Sequence, residues 1–342
     1  MEIGMSEFDV AILGATGAVG EVMLEILEER EFPVRNLHLL ASERSAGSRL
    51  QFAGRSIVVQ DVTDFDFSQV QIGLFSAGGA VSREYAPRAA EKGCIVIDNT
   101  SEFRREQDIP LVVPEVNPHR ILEFGDRRII ANPNCSTIQM LVALKPIYDA
   151  CGITRINVAT YQAVSGAGKR GIAALATQTA RLLNVQPIEE SVFPQQIAFN
   201  AIPYIGDFQD NGYTLEEMKM VWETKKIFED QSIEVNPTCV RVPVFFGHSE
   251  AVHIETREPI SAVKARELLS SAPGVEVIDD VSDPDFPTAV RDGVGSDPVY
   301  VGRIREDIST DRGLNLWIVS DNVRKGAALN SIQIAELLIK HL

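Results

Sequence analysis

Cys135 stands in Ile130-Ala-Asn-Pro-Asn134-Cys135-Ser-Thr-Ile138, where a short apolar run gives way to a helical pattern. Asn134 suits the N-cap position, because its side-chain oxygen can accept from the first unpaired helix N–H groups. Cys135 then falls in the first helical turn, where the helix dipole favours the thiolate, the nucleophilic form of sulfur. A sulfur so placed can attack a carbonyl carbon and hold it as a thioester. Cys94, Cys151 and Cys239 lie in or beside apolar runs and read as packed thiols. The four cysteines are widely spaced with no paired metal spacing, so no metal is expected, and they read as reduced thiols of a cytoplasmic protein. His248 is a candidate acid–base, since imidazole titrates near neutrality. His253 lies five residues on, and an odd separation within one strand puts the two rings on opposite faces. Arg241 offers a bidentate fork for a carboxylate. Glu216 and Lys219, three apart on an expected helix, share a face, as an intrahelical surface ion pair would also do.

A thioester that is to be reduced needs a hydride source. The run Gly14-Ala-Thr-Gly17-Ala-Val-Gly20 follows an apolar strand and opens a helix, the context in which glycines let a backbone turn tightly against a pyrophosphate. The free N–H groups of the helix start then face the phosphates. After the second strand the chain reads Ser42-Glu-Arg44-Ser45. Arg44 between two hydroxyls is a cradle for a 2′-phosphate, so NADP is favoured over NAD despite Glu43.

Those groups need a scaffold. Apolar strands are expected over 8–13, 36–41, 56–60, 71–76, 94–98 and 128–131, alternating with helices. That pattern gives an α/β class with a Rossmann-type, doubly wound, mostly parallel sheet. After Cys135 the texture becomes α+β. Helices are expected over 137–148, 171–182 and 214–228, and strands over 156–162, 240–245 and 251–256. Residues 186–204 are Pro-rich and read as an ordered crossing, and 322–342 reads as one amphipathic helix. The expected domains are 1–134 rejoined by 322–342, which binds NADP, and 135–321, which carries catalysis and a sheet broad enough for a dimer face.

With 342 residues and 45% of them apolar, the chain can build two cores. A net charge of −16 argues against sequence-independent nucleic-acid binding. No run reaches the ~20 apolar residues of a membrane helix, and the short acidic start 1–8 is not a secretory signal. An anionic substrate would have to be met by the site's own arginines and lysines against that charge.

The glycine loop, Asn-Pro-Asn-Cys-Ser-Thr, Tyr161-Gln162-Ala-Val-Ser165-Gly166-Ala-Gly168 and Arg241-Val-Pro-Val-Phe-Phe-Gly-His248 together resemble the bacterial aspartate-semialdehyde dehydrogenase family. Val112-Val-Pro-Glu-Val-Asn117 and Ser320-Asp-Asn-Val-Arg-Lys-Gly-Ala-Ala328 extend the likeness over essentially the whole chain. The resemblance implies reversible NADPH-dependent reduction of L-aspartyl 4-phosphate to L-aspartate 4-semialdehyde with release of phosphate, and a homodimer. It makes Cys135 the nucleophile, selects His248 as acid–base and gives Gln162 the holding of the thioester. It assigns Arg104 to the phosphate, with Arg105 as the alternative register, and adds Asn134 to the substrate set. Arg241 goes to the carboxylate, Glu216 to the amine, with Glu217 as alternative, and Lys219 to the phosphate. The cofactor set is Gly14, Thr16, Gly17, Ala18 and Val19, then Ser42, Arg44, Ser45 and Ser76, then Ser165, Gly166 and Asn322. The competing expectations are an N-acetyl-γ-glutamyl-phosphate reductase and a non-catalytic NADP-binding scaffold. Against the first, Asn134 and Ser136 flank the cysteine where that family has Gly and Tyr-Pro.

Overall fold

The computed structural model describes residues 7–188, 192–280 and 282–342. The acidic start, up to Ser6, and residues 189–191 of the Pro-rich crossing lie outside the described residues. The chain divides into two units, Met1–Pro133 with Ala327–Leu342, and Asn134–Gly326.

The first unit contains β1 (Phe8–Leu13), α1 (Ala18–Glu29), β2 (Val34–Ala41), β3 (Arg49–Phe52), β4 (Arg55–Asp61), β5 (Ile72–Phe75), α2 (Gly79–Glu91), β6 (Ile95–Asp98), β7 (Ile129–Ala131) and a C-terminal helix (Leu329–Leu338). The sheet order is β3-β4-β2-β1-β5-β6-β7, parallel except for β3 on its edge. The order reverses at β1, between β2 and β5, and a doubly wound sheet leaves its ligand crevice at the carboxyl ends of such strands. Every residue of β1, β5 and β6 is buried, as strands covered on both faces require. Met23, Ile26 and Leu27 of α1 and Ile332, Ala335 and Leu338 of the C-terminal helix share one core with β1.

The second unit contains α3 (Cys135–Cys151), β8 (Ile153–Gln162), α4 (Gly168–Leu183), α5 (Leu215–Ile227), β9 (Glu234–Arg241), β10 (His248–Thr256), α6 (Ala262–Ser270), β11 (Val275–Val277), β12 (Val299–Glu306) and β13 (Gly313–Ser320). Its mixed sheet runs β11-β12-β13-β10-β8-β9. Strand alternation turns Ile156, Val158, Thr160 and Gln162 of β8 inward and leaves Tyr161 exposed.

Two expected elements are displaced. The strand expected over 240–245 is β9, and it ends at Arg241. Beyond it Pro243 has no N–H to give a ladder, and Gly247 takes φ +84° before β10 begins. The tail is not one helix from 322, and its regular part starts at Leu329. The Asp321 carboxylate accepts from the N–H groups of Val323 and Arg324, holding the backbone in a local turn that competes with the helix. The chain accordingly rejoins the first unit at Ala327 rather than at 322. Strands β3, β11, β12 and β13 were not expected. Among the described residues, no helix is long and apolar enough to cross a membrane.

Candidate active site

In the second unit, Asn134 caps α3, its Oδ1 accepting from the N–H groups of Ser136 at 3.1 Å and Thr137 at 3.3 Å. Cys135 therefore begins the helix, half-buried, as its sequence position requires. The other three thiols are buried. Burial pushes Cys94 up to about 12 and raises Cys151 and Cys239 as well.

Glu216 and Lys219 do pair, at 3.0 Å, but the carboxylate is buried rather than on a wet surface. Its Oε1 accepts from Asn134 Nδ2 at 2.8 Å and Gln162 Nε2 at 3.1 Å. Burial alone would raise Glu216, and the Lys219 charge with these hydrogen bonds overcomes it, holding the carboxyl down at about 2. Glu217 has other work. It closes a capping box with Thr214 and accepts from the Cys239 N–H at 3.0 Å. The register at this pair thus places Glu216, not Glu217, beside Asn134 and Gln162.

Gln162 is fixed from both ends. Thr160 Oγ1 donates to its Oε1 at 3.0 Å, and its Nε2 lies 3.5 Å from His248 Nε2. The Ala163 N–H donates to His248 Nδ1 at 3.0 Å, so the proton of the neutral ring is on Nε2. Burial, reinforced by the Arg241 charge, pushes this imidazole down to about 3. His253 lies on the other face of β10 and pairs with Asp307 at 2.7 Å. Arg241 ends β9, is buried, and donates through Nη1 to the Ala163 carbonyl at 2.6 Å. A Cβ added at Gly166 would stand 2.8 Å from Arg241 Nη1 and 3.5 Å from His248 Nε2, so the turn after β8 passes directly over both groups. Asn322 ties that turn to the start of β10, with Oδ1 accepting from Gly247 N–H at 2.9 Å and Nδ2 donating to Ser165 Oγ at 3.0 Å.

The other expected residues belong to the first unit. A Cβ at Gly14 would meet the Ser76 carbonyl at 2.8 Å, and one at Gly20 would meet the Gly14 carbonyl oxygen at 2.3 Å. Only a glycine backbone closes this β1–α1 turn, and the cradle fits a dinucleotide pyrophosphate. Gly17 is the N-cap of α1 with no side chain over it, leaving Thr16, Ala18 and Val19 along the rim of the turn. Ser42, Arg44 and Ser45 form an accessible turn at the carboxyl end of β2, and among the described residues no carboxylate pairs with Arg44. Arg104 is buried and donates to the Asn99 carbonyl at 3.0 Å, while Arg105 is exposed.

Residues 9–124 match the semialdehyde dehydrogenase NAD-binding domain, and residues 144–325 match the semialdehyde dehydrogenase dimerisation domain. Aspartate-semialdehyde dehydrogenase 2 of Vibrio cholerae is 66% identical over 98% of each chain. The chain belongs to the aspartate-semialdehyde dehydrogenase family. Among solved structures, aspartate semialdehyde dehydrogenase II of Vibrio cholerae complexed with ASA superposes with a TM-score of 0.96 at 66% identity, covering 98% of this chain and 99% of that one. The Candida albicans enzyme with NADP gives 0.75 at 29% identity, covering 97% and 98%.

Two residues at the site escaped the sequence reading. A Cβ at Gly326 would stand 2.7 Å from Cys135 Cβ, so a bare backbone there makes room for the nucleophile. The glycine was visible in the closing motif, but nothing local linked it to a residue 191 positions earlier. Glu223, on α5, accepts the Asn134 N–H at 2.6 Å. Its signal was its spacing of seven from Glu216, two helical turns along one face.

Proposed function

We propose that Cys135 carries the acyl group of L-aspartyl 4-phosphate as a thioester and that the hydride carrier is NADP(H). The reaction is that of the family, reversible reduction of L-aspartyl 4-phosphate to L-aspartate 4-semialdehyde with release of phosphate, a step of amino-acid biosynthesis. The Cys135 thiolate attacks the acyl carbon and the C–O bond to phosphate breaks. When bound, the nicotinamide supplies the hydride that reduces the thioester. His248, with its proton on Nε2, donates a hydrogen bond to the oxyanion of the resulting thiohemiacetal, which collapses to aldehyde and thiolate. Gln162 steadies the acyl group, Arg241 grips the α-carboxylate and Lys219 and Arg104 take the phosphate.

The observation that carries the substrate is Glu216, a buried carboxylate kept ionised. A free α-ammonium can pair with this carboxylate beside Lys219, whereas an acetylated amine brings it no charge. This disfavours the N-acetyl-γ-glutamyl-phosphate reductase reading. A non-catalytic scaffold would have no need of the assembled Cys135, His248 and Arg241. Arg44 and its two hydroxyls support the 2′-phosphate of NADP. Ser165 and Gly166 are assigned to the nicotinamide side of the cofactor, the glycine turn with Thr16, Ala18 and Val19 to its pyrophosphate, and Ser76 and Asn322 complete the cofactor contacts.

A homodimer through the outer face of the second sheet is supported by a groove of about 520 Å³, whose lining includes Phe286, Val290, Leu316 and Trp317. Tyr161 and Phe245 are also exposed, and the dimerisation-domain match spans this region. Four reduced thiols support a cytoplasmic setting.

The deciding experiment measures phosphate-dependent cofactor reduction with aspartate semialdehyde and with N-acetylglutamate semialdehyde, each with NADP⁺ and NAD⁺. Turnover is expected with the first aldehyde and NADP⁺, and Arg44→Ala should raise KM for NADP⁺ but not for NAD⁺. Turnover restricted to the acetylated aldehyde would move the chain to the rival reaction.

A further inference from the structure

Asn134, the residue before the nucleophile, has every polar group engaged. Its carbonyl accepts from Ile138 N–H at 2.9 Å, and its Oδ1 caps Ser136 and Thr137. Its Nδ2 donates to Glu216, and its backbone N–H donates to Glu223 Oε2 at 2.6 Å. Glu223 is 2% exposed. Both carboxylates come from α5, seven residues apart and so nearly one above the other.

The two contacts differ in what the reaction asks of them. In the proposed mechanism Glu216 turns its charge to the substrate ammonium, so its hold on the Asn134 amide is shared. Glu223 holds the main chain itself, through a 2.6 Å contact from the Asn134 N–H that depends on the reach of its side chain along α5. We propose that Glu223 is a positioning residue: it fixes the main chain at Asn134, and through it the place of Cys135 Sγ, independently of Glu216. The inference rests on Cys135 being the nucleophile.

Two variants separate reach from charge. Glu223→Asp keeps the charge but withdraws the acceptor by one methylene, whereas Glu223→Gln keeps the reach and an acceptor oxygen but loses the charge. Steady-state kinetics with aspartate semialdehyde, phosphate and NADP⁺ are measured beside Tm. Misplacing a reacting atom by about 1 Å costs up to about a hundredfold in rate. Glu223→Asp is therefore expected to lose about ten- to a hundredfold in kcat with KM within about threefold. Glu223→Gln should stay within about fivefold of the parent in kcat. The reverse ranking would make charge the operative property and overturn the proposal. So would wild-type kcat in both variants, KM rising in step with the loss, or a loss that follows the unfolded fraction. Cys135→Ala is run in parallel. Retained turnover there would overturn the nucleophile, whereas a dead Cys135→Ala beside a fully active Glu223→Asp would overturn only the positioning.

Discussion

The glycine turn of the first unit and the cysteine site of the second solve opposite problems. The turn is built from backbone. Between β1 and α1 its fit depends on the absence of side chains, since a Cβ at Gly20 would press to 2.3 Å on the Gly14 carbonyl. The cysteine site is built from side chains that are buried and charged, and each is held by the next. Glu216 is shared by Lys219, Asn134 and Gln162, while Arg241 is tied to the Ala163 carbonyl and His248 to the Ala163 N–H. A backbone site binds what any such turn binds, a phosphate. An interlocked site can discriminate between an ammonium and an amide, at the cost of keeping ions out of water.

The sharpest break in that comparison would come from Cys135→Ala. It should lower phosphate-dependent turnover at least about a thousandfold, because no other accessible thiol stands in the site. Cofactor fluorescence titration should show NADPH still bound, and substantial turnover would remove the covalent route. Arg241→Lys should raise KM for aspartate semialdehyde about ten- to a hundredfold, since a point charge does not reproduce the fork. An unchanged KM would take Arg241 off the substrate. Gly20→Ala tests the other side. Overpacking there is expected to cost about 1–3 kcal/mol and weaken NADPH, while iodoacetamide should label Cys135 at the parental rate. Equal damage to both would mean the two sites are less separable than their construction implies.

The smallest effect concerns acid. His248 stays neutral in the fold down to about 3, below its ordinary 6.5. Between those values the unfolded chain takes up a proton that the folded chain refuses, so stability falls as pH falls. Glu216, held at about 2 against 4.5, adds to the loss below about 4.5. Urea midpoints from pH 7 to 5 should decline less in His248→Gln, and an identical slope would show that the ring is protonated in the fold.

The same contrast explains what could be read from sequence. The glycine turn is contiguous, so spacing alone gave it, and the parallel sheet followed from short apolar strands between helices. Asn134 and Cys135 were legible because a cap and a first-turn residue are neighbours. Glu216, Arg241 and His248 come from three separate elements, and spacing left each of them open to a reading as an ordinary ion pair or packed histidine. A family resemblance brought them together. The edges of β9 and of the tail were misplaced because Pro243 and the Asp321 turn override an apolar run. Glu223 and Gly326 meet residues remote in the chain, and the spacing that puts Glu223 on the face of Glu216 does not say that the Asn134 N–H lies against it.

The four cysteines end up in unequal chemical circumstances. Three are buried, which suppresses their ionisation, and one opens at a helix start. The folded protein is therefore close to a single-thiol reagent. A dilute, mild electrophile should consume one equivalent per chain and extinguish turnover in strict proportion. That stoichiometry counts working sites in any preparation and offers a direct route to mechanism-based inhibitors.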